Sequence, residues 1–514
     1  MRTLSSVFAE SARRFPNNTA VADPTRGSRL SYRELDSISD HIRDALVDGG
    51  VRQGDRVGLY AAKSCGSVAS VLAILKAGAA YVPVDYAAPA ERNAFIFNDC
   101  DVAAVMVDRN LVGKLVDAFE PPNTVTTEVG HAADLGVDLV IVWNAVTRHV
   151  ERSTVGDDSL SYILYTSGST GKPKGVMHTH SSALSFVDWC SRTFDPLETD
   201  RFSSHASFHF DLSILDLYVP LKHGAAIVLI GEDVGKNPSV LAPLIAESGI
   251  TMWYSTPSIL RLLSEAGKLE QHDYSGLRVV NFAGEVFPLK HLRAIKSAWP
   301  DPRYFNLYGP TETNVCTYFE VPVEIAEDRT EPYPIGFACS GDRVVAANDD
   351  GTKVPVGEPG ELFVSGGSVM SGYWNLADRT ASAFYIDENG VKWYRTGDIV
   401  VGDTDGCYAF VGRRDRMVKR RGYRIELGEI EAALYRHENV SEVAVVALPD
   451  EENGVRITAF LCTNDGKAIG LIAMKRYCSG MLPLYMIPDS FNYSEYLPKT
   501  STDKIDYQTL LQSA

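Results

Sequence analysis

The stretch that decides the fold class runs Tyr162-Ile-Leu-Tyr-Thr-Ser-Gly-Ser-Thr-Gly-Lys-Pro-Lys-Gly-Val176. It begins as an apolar strand and continues as a loop of glycine and hydroxyl residues with two lysines. Glycines let backbone N–H groups approach an anion, hydroxyls donate further hydrogen bonds, and lysines supply positive charge. The stretch therefore predicts a loop that holds a polyphosphate, with a flexible Ser/Gly/Thr linker as the alternative.

This loop differs from a Walker loop. A Walker loop has Gly-Lys-Ser/Thr leading into a helix, whereas Lys172 precedes Pro173, which disfavours a helical conformation at Lys172.

Alternating apolar segments surround this loop and predict an α/β fold with largely buried, parallel or mixed sheets. A helix is expected near Ser67–Lys76. Strands are expected at Arg56–Leu59, Tyr81–Val84, Ala226–Ile230, Thr251–Tyr254, Leu277–Asn281 and Tyr304–Leu307.

Composition narrows the class of protein. The 514 residues are 45% hydrophobic and 22% charged, as in ordinary globular enzymes, so a disordered or fibrous protein is excluded. No apolar run approaches the roughly 20 residues that cross a bilayer. Met1–Asn18 also lacks the apolar core of a signal peptide, so we expect a cytoplasmic protein with no membrane partner.

The net charge of −17 makes nucleic acid an unfavourable partner. The eight scattered cysteines include no CxxC pair and are expected to be reduced.

A step in charge marks a domain boundary at Asp415. The part up to Asp415 holds 37 basic and 53 acidic residues, whereas 12 basic and 13 acidic residues follow it. The tail has an amphipathic pattern over Ile425–Tyr435 and a strand pattern over Val443–Leu448. We therefore predict a large domain over residues 1–414 and a small α+β domain over residues 415–514.

The loop and several further motifs, in order along the whole chain, resemble those of the adenylate-forming superfamily. Within it they resemble the amino-acid-activating adenylation domains of nonribosomal peptide synthetases. The further motifs are Leu72–Asp85, Phe208–Ser213, Asn306–Glu312, Gly360–Val364, Tyr394–Asp398, Gly412–Glu429 and Leu497–Asp506. The resemblance implies a large N-terminal core of several subdomains and a small mobile lid domain that carries a catalytic lysine.

The implied reaction is attack of a carboxylate on the α-phosphorus of ATP, followed by capture of the acyl-adenylate by a thiol. The resemblance implies that ATP contacts Thr166, Ser167, Gly168, Ser169, Thr170, Lys174, Asn306, Leu307, Tyr308, Gly309, Pro310, Thr311, Asp398, Phe410, Arg413 and Lys504.

Some of these residues have individual implied roles. Tyr308 lies on the base, Thr311 donates to phosphate, and Glu312 holds Mg²⁺ together with phosphate oxygens and water. Asp398 and Arg413 bind the ribose. The alternatives are an exposed turn for Asp398 and a solvated charge for Arg413.

Lys504 matches the catalytic lysine that bridges the substrate carboxylate and the α-phosphate; a solvent-facing lysine is the alternative. This chain has Thr502-Asp503 where the family usually has Asn-Gly. Asp415 matches the hinge about which the small domain rotates, bringing Lys504 in for the first step and Gly422-Tyr423 in for the second.

Asp211 matches the carboxylate that grips the α-ammonium of an amino acid, with a helix cap before Leu212 as the alternative. Except for Asn281 and a tyrosine hydroxyl, the other implied pocket residues are apolar, which favours a small neutral amino acid. They are Leu212, Leu215, Tyr254, Asn281, Ala283, Leu307, Val315 and Cys316.

The pocket resembles that of free-standing enzymes that load L-proline on a carrier protein, although Asn281 departs from their usual leucine. Ligases for D-alanine are the first alternative, and Ala283 replaces their usual cysteine. An acyl- or aryl-CoA ligase and a non-catalytic binding relative are further alternatives. Because no carrier module follows Ala514, we expect the phosphopantetheine-bearing carrier to be a separate protein.

Overall fold

A computed structural model of the chain describes residues 2–119, 125–128, 139–143, 158–168, 172–414, 416–450, 454–499 and 505–513. The strands are β1 Thr19–Asp23, β2 Ser28–Ser31, β3 Arg56–Tyr60, β4 Ala80–Pro83, β5 Ala104–Asp108, β6 Val125–Glu128, β7 Leu139–Trp143, β8 Leu160–Thr166, β9 Lys174–Thr179, β10 Arg201–Ser204, β11 Ala226–Leu229, β12 Met252–Ser255, β13 Val279–Ala283, β14 Arg303–Tyr308, β15 Thr317–Val321, β16 Phe337–Ala338, β17 Asp342–Ala347, β18 Pro359–Gly366, β19 Gly372–Tyr373, β20 Phe384–Ile386, β21 Lys392–Gly402, β22 Tyr408–Arg413, β23 Met417–Arg420, β24 Tyr423–Glu426, β25 Val440–Asp450, β26 Gly454–Thr463 and β27 Ser490–Tyr493.

The helices are α1 Leu4–Arg14, α2 Tyr32–Asp48, α3 Cys65–Lys76, α4 Ala90–Asp99, α5 Val112–Phe119, α6 His180–Phe194, α7 Ser213–His223, α8 Glu232–Gly235, α9 Pro238–Glu247, α10 Pro257–Ala266, α11 Leu289–Ala298, α12 Ala377–Ser382, α13 Leu427–Leu434, α14 Leu471–Ser479 and α15 Tyr507–Ser513. Among these helices of the described part, none combines the length and apolar character needed to span a membrane.

Two large mixed sheets form the centre of the molecule. One has the order β16-β15-β14-β13-β12-β10-β11-β1-β2, and the other β19-β9-β8-β4-β3-β5-β7-β6. Neighbours from β10 to β14 run parallel, while β15 and β16 add antiparallel strands at one edge. A third, antiparallel sheet contains β17, β18, β20, β21 and β22. The predicted α/β class with mixed and parallel sheets is confirmed.

Helix α3 shows how the two large sheets share a core. Every residue from Cys65 to Leu75 is buried. The same apolar cluster contains Val57 and Leu164 from one sheet and Ile227 and Phe305 from the other. An almost continuously apolar helix is stable in this setting because its whole circumference is removed from water.

The described residues from 416 to 513 form a separate α+β unit, which we call the small lobe; the described residues up to 414 form the large lobe. In the described part, strands β23 to β27 pair only with one another, and α13 packs on β25 over a core of their own. Asp415 itself, the predicted boundary and hinge, lies outside the described residues, so both roles stay predictions.

The local predictions agree with the structure except at the start of the small lobe. The six predicted strands are found within two residues of their expected bounds. The helix predicted over Ile425–Tyr435 begins only at Leu427, because Ile425 pairs with Val418 in the β23–β24 hairpin. The cross-strand pairing therefore overrides the helical spacing. All eight cysteines are buried and free.

Candidate active site

Two adjoining cavities form one cleft between the lobes. A cavity of about 80 Å³ is lined by Thr166, Asp211 and Tyr254, among others. A cavity of about 740 Å³ is lined by Tyr308 and Asp398. The two share the lining residues Gly284, Arg413, Met417 and Lys419. The cleft thus brings the predicted phosphate, ribose and amino-acid ligands together.

The phosphate loop begins where β8 ends. Strands β8 and β9 pair antiparallel with Thr166 opposite Lys174, and Thr166 and Ser167 line the smaller cavity. The Thr166 hydroxyl is buried and has no hydrogen-bond partner among the described residues. A buried hydroxyl without a partner costs free energy, and a phosphate oxygen would satisfy it. Ser169 and Thr170 lie outside the described residues.

Two further donors of this loop, Ser167 and Gly168, contact the small lobe. Ser167 Oγ donates to the carbonyl of Arg424 at 2.9 Å and accepts from the amide of Glu426 at 3.2 Å. The amide of Gly168 donates to Glu429 Oε2 at 3.2 Å. Docking of the small lobe therefore covers the predicted phosphate loop.

Glu312 is fully buried and bound by two cations. Lys174 Nζ lies 3.0 Å from Oε1, Arg424 Nη1 lies 2.9 Å from Oε2, and the Tyr373 hydroxyl donates to Oε1 at 2.8 Å. Burial alone would raise the pKa of Glu312, but the charges of Arg424 and Lys174 outweigh it and hold that pKa well below its usual range. Glu312 is therefore ionised, as a metal ligand must be.

The protein groups around Glu312 could supply only some of the ligands that Mg²⁺ needs. No group of three or more potential His, Cys, Asp or Glu ligands occurs within the described ranges, so phosphate oxygens and water would have to supply the other ligands. In this arrangement the Arg424 guanidinium is bound to the Glu312 carboxylate. Because Arg424 belongs to the small lobe, its removal by rotation would leave Glu312 available to a metal.

Asp398, Arg413 and Tyr308 form one contact group. Antiparallel pairing of β21 with β22 places Asp398 opposite Arg413, whose guanidinium donates to Asp398. The Tyr308 hydroxyl also donates to Asp398. Phe410 lines the same cavity, and Asn306 is anchored through the carbonyl of Pro334 at 2.8 Å. These residues line the larger cavity, where their predicted roles at base and ribose require them.

Asp211 lies half-buried at the other end of the cleft. It forms no ion pair with any described residue, and burial raises the pKa of its carboxyl despite the Thr311 hydroxyl and the charge of Lys419. Helix α7 starts at Ser213 with Leu212 as its N-cap and has no side-chain cap bond. A hydrogen bond from the Leu212 amide partly offsets the rise in the pKa of the Asp211 carboxyl, so the ammonium contact and the helix-cap alternative for Asp211 both stay predictions.

Some of the residues predicted to form the amino-acid pocket line the cleft, and others do not. Leu212, Tyr254, Ala283 and Val315 line the smaller cavity with Asp211, and Leu307 lines the larger one. Leu215, Asn281 and Cys316 are buried but do not line either cavity in this lobe arrangement. Their contact with substrate stays a prediction.

The small-lobe hairpin β23–β24 enters the cleft. The amide of Gly422 at its turn donates to Glu285 Oε1 at 2.8 Å. The Tyr423 ring packs edge-on against Phe210 with 4.9 Å between ring centroids. Lys419 Nζ lies 5.5 Å from the centroid of the Tyr308 ring. Gly422 and Tyr423 therefore lie inside the cleft in this lobe arrangement, and their role in the second reaction step stays a prediction.

Lys504 lies outside the described residues, so its catalytic role stays a prediction. On its two sides, Lys499 and Ile505 form an antiparallel bridge. Lys499 Nζ pairs with Glu442 at 2.9 Å, and Ile505 packs against a core cluster that contains Leu497.

Five cleft residues have no assigned role in the sequence analysis: Arg92, Glu285, Lys419, Arg424 and Glu429. Lys419, Arg424 and Glu429 lie within a quoted motif, Gly412–Glu429, which was their only signal. Arg92 and Glu285 become recognisable only when the lobes meet.

The α/β fold and the cleft are those expected of an enzyme with a phosphate loop next to a pocket that contains a carboxylate. The family described as AMP-binding enzyme matches residues 8–374, and the AMP-binding enzyme C-terminal domain matches residues 429–504. The chain belongs to this family of AMP-forming ligases.

Two curated relatives match almost end to end. An L-proline--[L-prolyl-carrier protein] ligase of Pseudomonas fluorescens is 39% identical over 98% of both chains. A ligase of the same description from Streptomyces coelicolor is 37% identical over 98% of this chain and 97% of its own. Among solved structures, holo-PA1221, a nonribosomal peptide synthetase protein with adenylation and PCP domains, is 27% identical with a TM-score of 0.80. That match covers 99% of this chain and 84% of the other.

Proposed function

We propose that this protein activates a small neutral amino acid, L-proline in the first instance, as aminoacyl-AMP. It then transfers the aminoacyl group to the phosphopantetheine thiol of a separate carrier protein. ATP is the second substrate and Mg²⁺ the metal cofactor.

Asp211 carries this proposal. Its carboxylate, whose pKa is raised by burial, lies in the same cavity as the Thr166 hydroxyl, and among the described residues neither the carboxylate has an ion pair nor the hydroxyl a hydrogen-bond partner. A substrate ammonium would neutralise the carboxylate, while the substrate carboxylate would face the phosphate loop. An enzyme for fatty or aryl acids has no use for such a group.

The first step requires alignment of two anions. Thr166 and the loop amides would position the phosphates, and Asp398 with Arg413 would hold the ribose. When bound at Glu312, Mg²⁺ would neutralise charge on the phosphate chain. Lys504 would bridge the substrate carboxylate and the α-phosphate, so that the carboxylate attacks phosphorus and pyrophosphate leaves.

The second step uses the arrangement seen here. With the Gly422 hairpin in the cleft, the phosphate loop is covered while the larger cavity remains open. The carrier thiol would attack the acyl carbon, lose its proton, and release AMP.

The choice of proline rests on the pocket and on the two curated relatives. The walls contributed by Leu212, Ala283 and Val315 are apolar, which favours a compact uncharged side chain. D-alanine or another small aliphatic amino acid is the second candidate.

ATP–pyrophosphate exchange tests the substrate. The panel contains L-proline, D-proline, D-alanine, glycine, L-valine, a fatty acid and benzoate. Tetrahydrofuran-2-carboxylate is the matched control, because it keeps the ring of proline and replaces its amine by oxygen. We expect exchange with L-proline and none with the control. Exchange with only the fatty acid or benzoate would contradict amino-acid activation.

Intact-protein mass spectrometry tests the acceptor. The probe is the carrier protein loaded by the Pseudomonas fluorescens relative, in its phosphopantetheinylated and unmodified forms. We expect a prolyl mass increase only on the first form. Equal or faster transfer to coenzyme A would favour the CoA-ligase alternative.

A further inference from the structure

A carboxylate of the small lobe occupies an anion site of the large lobe. Glu429, on α13, is 2% exposed. Its Oε2 accepts from the Gly168 amide at 3.2 Å, and its Oε1 accepts from the Arg92 guanidinium. An arginine and a backbone amide at the start of the predicted phosphate loop are the donors that a phosphate uses.

Arg424, a cation of the same small-lobe segment, is bound to the Glu312 carboxylate, which we expect to hold the metal. Arg424 Nη1 contacts both oxygens of Glu312, at 3.1 and 2.9 Å. Arg424 and Glu429 are five residues apart and lie on β24 and α13, which follow one another directly. One short segment therefore places a positive charge at Glu312 and a negative charge at the phosphate loop.

We propose that Arg424 and Glu429 are an internal substitute for magnesium pyrophosphate. The Glu429 carboxylate takes the place of a phosphate at Arg92 and Gly168, and the Arg424 guanidinium takes the place of the metal at Glu312. This inference rests on the proposed function. It assigns Arg92 as a pyrophosphate-binding residue.

The energetics of burial explain why a substitute is needed. The Arg92 side chain is only 14% exposed and Glu312 is fully buried. A buried charge without a partner destabilises a protein strongly, so Arg92 must meet an opposite charge in both lobe arrangements, whereas Glu312 keeps Lys174 and meets a second cation in each. Magnesium pyrophosphate supplies both charges in one arrangement and the small lobe supplies both in the other. Docking and pyrophosphate binding are thus mutually exclusive and coupled reciprocally.

Fluorescence energy transfer between the lobes tests the competition in the full-length chain. Val323→Cys and Ile472→Cys supply exposed label sites, since these residues are 85% and 81% exposed, and all native cysteines are buried. Titration with magnesium pyrophosphate should convert the docked arrangement into an undocked one. Glu429→Gln should lower the half-maximal concentration about tenfold, because it removes a charge-assisted contact of docking.

Glu431→Gln is the matched control on the same helix. Glu431 accepts from Arg416, the Val445 amide and the Tyr507 hydroxyl, all in the small lobe. Its titration should match that of the unsubstituted protein. The proposal would be overturned if Glu429→Gln and Glu431→Gln shifted the half-maximal magnesium pyrophosphate concentration equally. It would also be overturned if no variant responded to magnesium pyrophosphate.

Calorimetric titration with magnesium pyrophosphate tests Arg92 separately. Arg92→Gln should weaken binding about tenfold, whereas a residue that only joins the lobes would leave this affinity unchanged or increase it. Arg424→Gln should lower the free Mg²⁺ needed for undocking at fixed pyrophosphate. Unchanged affinity in Arg92→Gln, with a normal unfolding midpoint, refutes the assignment. Proline-dependent exchange by the unsubstituted protein is scored independently and decides the proposed function.

Discussion

The Gly422 amide donates to Oε1 of Glu285 at 2.8 Å and joins the turn of the small-lobe hairpin to the wall of the large-lobe cleft. Glu285 also accepts from the amide of Ser258 at 3.1 Å through Oε2. Gly422 has φ of +80°, and a Cβ there would lie 2.3 Å from Thr256 Cγ2. Close docking of this turn therefore requires glycine.

Gly422→Ala should impair thiol transfer at least tenfold and leave ATP–pyrophosphate exchange largely intact. The added methyl group collides with Thr256 only when the small lobe is docked. Single-turnover transfer and exchange, measured on the same preparation, provide the comparison. Gly466→Ala is the control, because Gly466 has φ of +69° and no atom of the described residues lies within 4 Å of its Cβ position. The left-handed conformation costs an L residue about 1–2 kcal/mol at either position. Equal loss of transfer in both variants would show that backbone strain, and not docking, is responsible.

Asp211→Asn should raise the KM for the amino acid about 30-fold, which corresponds to loss of about 2 kcal/mol from a charge-assisted hydrogen bond. The KM for ATP should change far less. Asp301→Asn, at an exposed position, serves as the control. Initial rates of exchange over both substrates give the two constants. A similar rise in both constants would mean that Asp211 does not bind the ammonium.

The same carboxylate predicts a pH dependence of amino-acid binding. Burial raises the pKa of Asp211, and only its ionised form attracts an ammonium. Affinity should therefore increase as the pH rises through this pKa and then level off. The dissociation constant in the absence of ATP, measured by calorimetry across pH, follows this change. Asp211→Asn should flatten the profile, and an unchanged profile in that variant would contradict the assignment.

Lys504→Ala should lower exchange by about 100-fold or more, because the developing charge on the α-phosphate loses its counter-charge. Binding of ATP, measured by calorimetry, should change much less. Lys499→Ala removes a lysine that pairs with Glu442 inside the small lobe and should retain exchange. Near-normal exchange in Lys504→Ala would contradict its catalytic role.

Protonation of His178 should destabilise the fold in mild acid. Burial lowers the pKa of His178 to about 4, and its Nε2 lies 2.8 Å from the carbonyl oxygen of Thr311. The unfolded chain binds this proton near pH 6.5, before the folded chain does, so stability is present above that pH and falls below it. The loss from pH 6.5 to pH 5 should be about 1–2 kcal/mol.

Urea unfolding at pH 7.5, 6.5 and 5 measures this loss. His178→Gln should reduce the difference between the pH values, since glutamine can still donate to the Thr311 carbonyl but does not titrate. An equal difference in the variant would place the titrating group elsewhere.

Sequence patterns alone predicted the α/β class and most strand positions correctly, and they predict an anion-binding role for the Gly/Ser/Thr loop. These follow from local patterns: an apolar run specifies a buried strand wherever it packs, and a Gly/Ser/Thr loop with lysines favours an anion. The motifs also name Thr166, Asp211 and Asp398 as candidate ligands, and these three residues line one cleft.

Which charges neutralise one another depends on how the lobes meet in three dimensions. Arg92 and Glu429 are 337 positions apart, and no local pattern links residues from different lobes. The helical spacing at Ile425 was misleading because its backbone pairs across a hairpin. Residue patterns along a chain report which side chains prefer to be buried or charged. The docking of two lobes chooses the opposite charge that each buried group meets.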